Sequence, residues 1–493
     1  MTVPAAQAEA AAFLGRLTGA TPVETHISAV YVGPEAAFKL KKAVAFTFLD
    51  FTALPAREHF LRREFAINAP HAPGLYRGVR KLARGPDGAL HLDGEGPAEE
   101  WVLEMAPLRD DAFLSTLALR DGLSPAMLDA LGDAVAAMHA ALPPMTGWDA
   151  PGAMARVIEG NRRAALAAGL PEGGVAAWDL AAREMLDRLA PALAARAAAG
   201  HVRRCHGDLH LGNLCLWHGR PTPFDALEFD EDLATIDTGY DLAFLLVDLE
   251  MKQDRAAANR VLNRYVARTG DVGLLAGLPL WLSLRAIIRA HVESARGRDP
   301  ARHLAAADAA LRPAPACVIA VGGLQGTGKS RLARALAPGI GPAPGALVLR
   351  SDELRKRRFG RTPEEALPQE AYAETVSRAV LAEVMEQAVL AARTGHAVIA
   401  DATFLDPADR AAIEATARAA GVPFTGFWLE APIDVLKARV AARRGDASDA
   451  TEVVVQAAAA RDPGAIGWHR LDATADPLPT AQAVLASPAP SSC

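Results

Sequence analysis

The run Gly323-Leu324-Gln325-Gly326-Thr327-Gly328-Lys329-Ser330 carries the most explicit chemistry in the chain. It satisfies GxxxxGK[ST] at every fixed position, the pattern of a phosphate-binding loop. Glycines let the backbone curl until its N–H groups point at phosphate oxygens, and a helix N-terminus adds partial positive charge there. Gly323, Gly326, Thr327 and Gly328 would form that cradle. Lys329 would reach the β and γ phosphates of ATP, and Ser330 would offer an oxygen to Mg²⁺. The flanks agree: Val318–Val321 reads as a short buried strand, and the run from Arg331 to Leu336 as an amphipathic helix.

A second constellation is His206-Gly207-Asp208-Leu209-His210-Leu211-Gly212-Asn213. Asp208 followed five positions later by Asn213 is the spacing of a kinase catalytic loop. In such a loop the Asp accepts the proton of an acceptor hydroxyl and the Asn binds Mg²⁺. Pro223-Phe224-Asp225 follows and puts a carboxylate at a strand end, where a second metal ligand belongs. The alternative is a set of unrelated turn residues.

Two further carboxylates end predicted strands near the glycine loop. Gly345 to Asp352 reads as a strand that ends in Ser351-Asp352, and His396 to Asp401 as an apolar strand ending in Asp401. The C-terminal edge of a parallel sheet is where an acceptor would sit, so Asp352 is the candidate general base. Arg355 and Lys356 would bind an anionic acceptor or the transferring phosphate. Asp352 or Ser351 could equally cap the helix that follows. Asp401 fits a Mg²⁺–water ligand or an acceptor contact.

The elements that must position these residues fall into two sets. The opening third reads as a short helix, a hairpin over residues 25–44, a helix over 55–69 and further antiparallel strands over 76–105; long Ala-rich helices follow. Lys39, Lys41 and Lys42 lie on the hairpin's second strand, where they could also be a solvated edge. Arg312-Pro313-Ala314-Pro315 reads as a linker. The expected division is therefore 1–313, 314–475, and a flexible tail over 476–493. The chain has 493 residues and a formal net charge of −6, against an overall basic coat for nucleic acid. Its four cysteines form no metal-ligand spacing, no apolar run reaches a membrane span, and no signal peptide is apparent. A cytoplasmic protein is expected.

Residues 20–300 resemble the aminoglycoside phosphotransferase family, which shares the protein-kinase-like fold, through HGDLHLGN, FDALEF (224–229) and YDLAFL (240–245). The resemblance implies Asp208 as base, Asn213 and Asp225 as metal ligands, and Asp241 as a brace for the loop. It also implies Lys39 as the nucleotide-facing lysine, with Glu64 as its helix partner. Residues 316 to about 475 resemble P-loop kinases of the polynucleotide-kinase and gluconate-kinase type, through GLQGTGKS, SDELRK, VIADATF and RVAARRGDASDA. That likeness implies a parallel sheet with helices on both faces, and Arg439, Arg443 and Arg444 as a lid stabilising transition-state charge.

The resulting expectation is two fused domains, α+β protein-kinase-like and then α/β P-loop kinase, each transferring the γ-phosphate of ATP to a hydroxyl with Mg²⁺. The acceptor would be a small molecule or a nucleic-acid 5′-hydroxyl. The latter requires a basic groove beside Asp352, fed by Arg350 and the run Arg355-Lys356-Arg357-Arg358. Two rivals are a pseudokinase first domain with only the P-loop half catalytic, and a nucleotide-gated switch without transfer.

Overall fold

The computed structural model describes residues 2–46, 49–442 and 447–487. Two compact units emerge: residues 1–153 with 194–248, and residues 154–193 with 249–493. The units do not part at the Pro/Ala-rich link around 313, and the packing described below gives the reason.

The first unit is built on a six-stranded antiparallel sheet, in the order Val23–Glu24, Ser28–Val32, Ala37–Lys41, Ala98–Met105, Tyr76–Arg84, Leu90–Leu92. The helix Leu54–Asn68 begins with Pro55 in its first turn, where a missing N–H costs nothing. Its Leu61 packs with Ala37, Leu103 and Met105 from the sheet. Lys41 and Lys42 are fully buried, which rules out the solvated-edge reading of that strand. The catalytic-loop region lies between short antiparallel pairs, Val202–Arg204 with Thr235–Asp237 and Leu214–Trp217 with Arg220–Pro223.

The second unit contains a five-stranded, all-parallel sheet in the order Leu347–Arg350, Val398–Asp401, Val318–Gly323, Phe424–Glu430, His469–Asp472. Such strands are buried on both faces, and the continuous apolar runs VIAV and AVIA are what that burial requires. Helices Lys329–Leu336 and Leu478–Ala486 contribute to its core. The second helix corrects the expected tail. Ala481 is fully buried, and Leu478, Val484 and Leu485 pack on the core, so this stretch is part of the domain.

Leu347–Arg350 is an edge strand, and helix Arg255–Thr269 seals it. Val348 N–H donates to Asn263 Oδ1 at 2.6 Å. Ala346 O accepts from Asn259 Nδ2 at 3.0 Å and from Asn263 Nδ2 at 3.2 Å. Side-chain amides thus take the place of a neighbouring strand, which protects the edge. This helix belongs by sequence to the kinase-like half yet closes the P-loop sheet, so the compact unit begins well before the linker. Asn263→Leu leaves the Val348 N–H unpaired and should lower stability by about 2 kcal/mol in urea unfolding; an unchanged midpoint would contradict this role.

His396, two residues before strand Val398–Asp401, is buried and donates Nε2–H to Gly345 O at 2.9 Å. Burial pushes its imidazole down from 6.5 to about 4, against the pull of the Gly345 carbonyl and with help from Arg255. A depressed histidine favours the fold while neutral. As pH falls from 6.5 towards about 4, the unfolded chain takes up a proton that the folded chain refuses. Stability should therefore fall through that window by about 3 kcal/mol. His396→Gln should flatten this acid limb when urea midpoints at pH 7 and pH 4.5 are compared.

Candidate functional site

In the first unit Lys39 of the sheet, Glu64 of the helix and Asp225, the candidate metal ligand, come together. Lys39 Nζ lies 2.7 Å from Glu64 Oε1 and 2.6 Å from Asp225 Oδ1. Lys41 Nζ lies 2.9 Å from the other Glu64 oxygen and also contacts Glu228. Burial opposes charge on Glu64, but Lys39 and Lys41 hold its carboxyl well below the usual range, at about 2. Burial likewise works against both ammonium groups, and the surrounding carboxylates more than offset it, so Lys39 and Lys41 are raised.

The catalytic loop is laced to the core by backbone groups. Asp241, fully buried, accepts from Gly207 N at 2.9 Å and His206 N at 3.1 Å, with His139 Nε2 at 3.1 Å. Asp241 thus braces the loop. Gly207 has φ +82°, and a Cβ there would meet the Leu227 Cβ at 3.1 Å, so only glycine fits. Asn213 Nδ2 donates to Asp208 Oδ2 at 3.0 Å, which joins the candidate base to the candidate metal ligand. His206 Nε2 bonds Phe224 O at 2.9 Å, linking the loop to the segment before Asp225. Asp225 has φ +59°, a left-handed conformation uncommon outside glycine. Tyr76 OH accepts from its N–H at 2.9 Å, and Asn68 Oδ1 accepts from Ala226 N at 2.9 Å. Strained backbone held by several partners is typical of functional loops. Tyr76, Asn68, His139 and Glu228 were not reached by sequence reasoning, because each acts across long sequence separations.

In the second unit the glycine loop sits between the central strand and helix Lys329–Leu336. Gly326 has φ +87°, and a Cβ would lie 2.8 Å from Leu436 O. Thr327 Oγ1 bonds Leu324 O at 2.8 Å, and Lys329 Nζ donates to the same carbonyl at 3.0 Å. Ser330 Oγ donates to Asp401 Oδ2 at 2.5 Å. Arg350 Nε lies 3.4 Å from that oxygen. A serine hydroxyl and a carboxylate beside a phosphate loop are hard oxygen donors and fit Mg²⁺. Asp208, Asn213 and Asp225 offer the same donor chemistry in the first unit. Asp352 is the second residue of helix Ser351–Arg358, two positions past the end of strand Leu347–Arg350. Burial and the neighbouring Asp401 raise its carboxyl, with Arg350, Ser448 and Lys329 pulling the other way.

Several predicted residues find other partners. Arg439 Nη1 donates to Ala473 O at 2.8 Å, at the end of strand His469–Asp472, a backbone contact for a residue expected over the phosphates. Arg443 and Arg444 lie outside the described residues. The basic run does not make an open groove. Lys356 is buried against Asp449 at 2.8 Å, Arg355 is buried against Ala371 O at 2.6 Å, and Arg357 pairs with Glu383 at 2.7 Å. Arg350 is buried and pairs with Glu353 at 2.8 Å. Only Arg358 of these is more than half exposed. The reason is that helix Ser351–Arg358 buries its middle, Glu353 to Lys356, where acidic residues and carbonyls meet it.

A glycine loop at the C-terminal edge of a parallel sheet, and a kinase-like catalytic loop beside an antiparallel sheet, define an ATP-dependent phosphotransferase with two kinase-type domains. Comparison with known proteins agrees. Residues 89–278 match the phosphotransferase enzyme family, and residues 318–462 match an AAA domain family. An uncharacterized protein of Mycobacterium tuberculosis and one of Mycobacterium bovis are each 30% identical over 472 residues, covering 92% of this chain and 92% of theirs. The chain belongs to the family of these proteins, and it is a kinase. Both constituent families use ATP, typically with Mg²⁺. Among solved structures, a choline kinase from Cryptosporidium parvum is 10% identical, covering 58% of this chain and 85% of its own, with a TM-score of 0.37. A sugar kinase from Janibacter is 20% identical, covering 35% and 95%, with a TM-score of 0.26. Among the described residues no helix is long and apolar enough to cross a membrane.

Proposed function

We propose that both domains transfer the γ-phosphate of ATP to a hydroxyl of a small-molecule acceptor. In the first, Lys39 binds nucleotide phosphate, Asn213 and Asp225 hold Mg²⁺, and Asp208 takes the acceptor proton. In the second, Gly323, Gly326, Thr327, Gly328 and Lys329 bind the phosphates, Ser330 and Asp401 hold Mg²⁺, and Asp352 takes the proton. At each site the acceptor oxygen forms a bond to the γ-phosphorus as the bond to the β–γ bridging oxygen breaks. The proton passes to the aspartate and ADP leaves. Bound Mg²⁺ supplies charge neutralisation on the phosphates. Asp352 suits the base role because burial and the neighbouring Asp401 raise its carboxyl above the usual carboxylate range, which strengthens it as a proton acceptor.

The observation that carries this reading is the 2.6 Å contact between Lys39 and Asp225, residues far apart in sequence but joined in one cleft with Glu64. It supports a working first domain over a pseudokinase. A small acceptor is favoured over a nucleic-acid end because the basic run near Asp352 is spent on internal partners. Arg439, set on a backbone carbonyl, remains a candidate for stabilising transition-state charge.

The test follows labelled γ-phosphate from ATP with Mg²⁺ into sugars, amino-sugars, aminoglycosides, nucleosides and 5′-hydroxyl oligonucleotides. Label is expected in one or more of the small molecules. Label in oligonucleotides alone would overturn the acceptor class. Tight ATP binding with no acceptor labelled would replace transfer with a nucleotide-gated switch.

A further inference from the structure

Lys41 and Glu228 are a buried ion pair beside the first site that the phosphotransfer mechanism does not use. Lys41 is fully buried and cannot reach a nucleotide. Its ammonium contacts Glu228 and lies 2.9 Å from Glu64 Oε2 and 5.1 Å from the Phe51 ring centroid. Glu228 is itself only 4% exposed. Lys39 and Lys41 alternate along one strand, so both face the same side of the sheet. They divide Glu64 between them, one oxygen each. Lys39 also binds Asp225, whose side chain is 40% exposed, and Glu228 lies three residues further along the same loop.

This arrangement answers a mechanical problem. When Lys39 turns to nucleotide phosphate it must release Asp225, and Asp225 then has to stay in place for the metal. Tyr76 and Asn68 fix the backbone at Asp225 and Ala226, but a single lysine–glutamate pair would add no ion pair to the loop. Here a second lysine anchors the loop through Glu228 and keeps Glu64 oriented whichever partner Lys39 holds.

We infer that Lys41 and Glu228 are positioning residues, a second ion pair that ties the metal-ligand loop to the lysine strand so that Lys39 can exchange Asp225 for nucleotide phosphate. The inference rests on the reading of the first site as a Mg²⁺–ATP site.

The experiment uses the full chain carrying Lys329→Ala, so that nucleotide binding reports the first site. ATP binding is titrated against Mg²⁺ for this reference, for Glu228→Gln, and for the double variant Lys41→Met/Glu228→Leu. Replacing a buried ion pair by apolar groups of similar size is often neutral for stability, so the double variant separates positioning from folding. Removing a partner that orients a metal ligand commonly weakens metal binding by about tenfold or more. The Mg²⁺ concentration for half-maximal ATP binding should therefore rise about tenfold in the double variant, with its thermal midpoint close to the reference. Parent-like Mg²⁺ dependence in a folded double variant would overturn the inference. Should the double variant not fold, Glu228→Gln gives the same readout, and an unchanged requirement there is equally decisive. If the reference itself binds no ATP, the nucleotide-site reading falls and takes this inference with it, a result distinct from a variant-specific change.

Discussion

Lys329→Ala is expected to lower transfer at the glycine-loop site about a thousandfold, about 4 kcal/mol of transition-state stabilisation. Lys329 donates to the loop carbonyl of Leu324 at 3.0 Å, which holds the ammonium on the loop proposed to cradle the β and γ phosphates. Charge spreads over the γ-phosphoryl oxygens in the transition state, and a preorganised cation is worth most there. The fold should be little affected, because the loop's shape depends on its glycines and on the Thr327 contact with Leu324 O. Single-turnover transfer of labelled phosphate measures the effect. A loss smaller than tenfold would mean that Lys329 does not meet the transferring group.

Asp208→Asn should remove transfer at the first site by a comparable amount. A positioned general base contributes about 10²–10⁴-fold to proton transfer in the transition state. Asparagine keeps the side chain's shape and a carbonyl oxygen that can still accept from Asn213 Nδ2, now at 3.0 Å from Asp208 Oδ2. Only the capacity to take a proton is lost, so ATP affinity should hold while kcat falls. Asp352→Asn run beside it should leave that acceptor's rate unchanged. If instead Asp208→Asn spares every acceptor, the first domain is not catalytic and the P-loop half carries all transfer.

The two loops were legible because their chemistry is local. A phosphate cradle needs glycines, lysine and a hydroxyl within a few residues, and a catalytic loop needs its base and metal ligand on one turn. Which lysine serves the first site is a different kind of question. Lys39, Lys41 and Lys42 stand nearly side by side, and only their partners tell them apart: Asp225 for Lys39, Glu228 for Lys41, and Glu24 with the Thr25 carbonyl for Lys42. Those partners come from distant segments that no local pattern connects. The basic run at 355–358 misled for a related reason, since charge density in sequence does not show which way a helix faces. The same limit hid Asn259 and Asn263, whose amides make sense only against an unpaired strand edge. The C-terminal helix carried a weak signal, Leu478, Ala481 and Leu485 at helical spacing, within a stretch whose prolines and small residues suggested a tail.

The central claim is that one chain holds two separate Mg²⁺–ATP sites. Isothermal titration of ATP with Mg²⁺ into wild type, Lys329→Ala and Lys39→Ala measures it directly. Two nucleotides per wild-type chain and one in each variant are expected. One nucleotide per wild-type chain, lost in Lys329→Ala and untouched in Lys39→Ala, would contradict it.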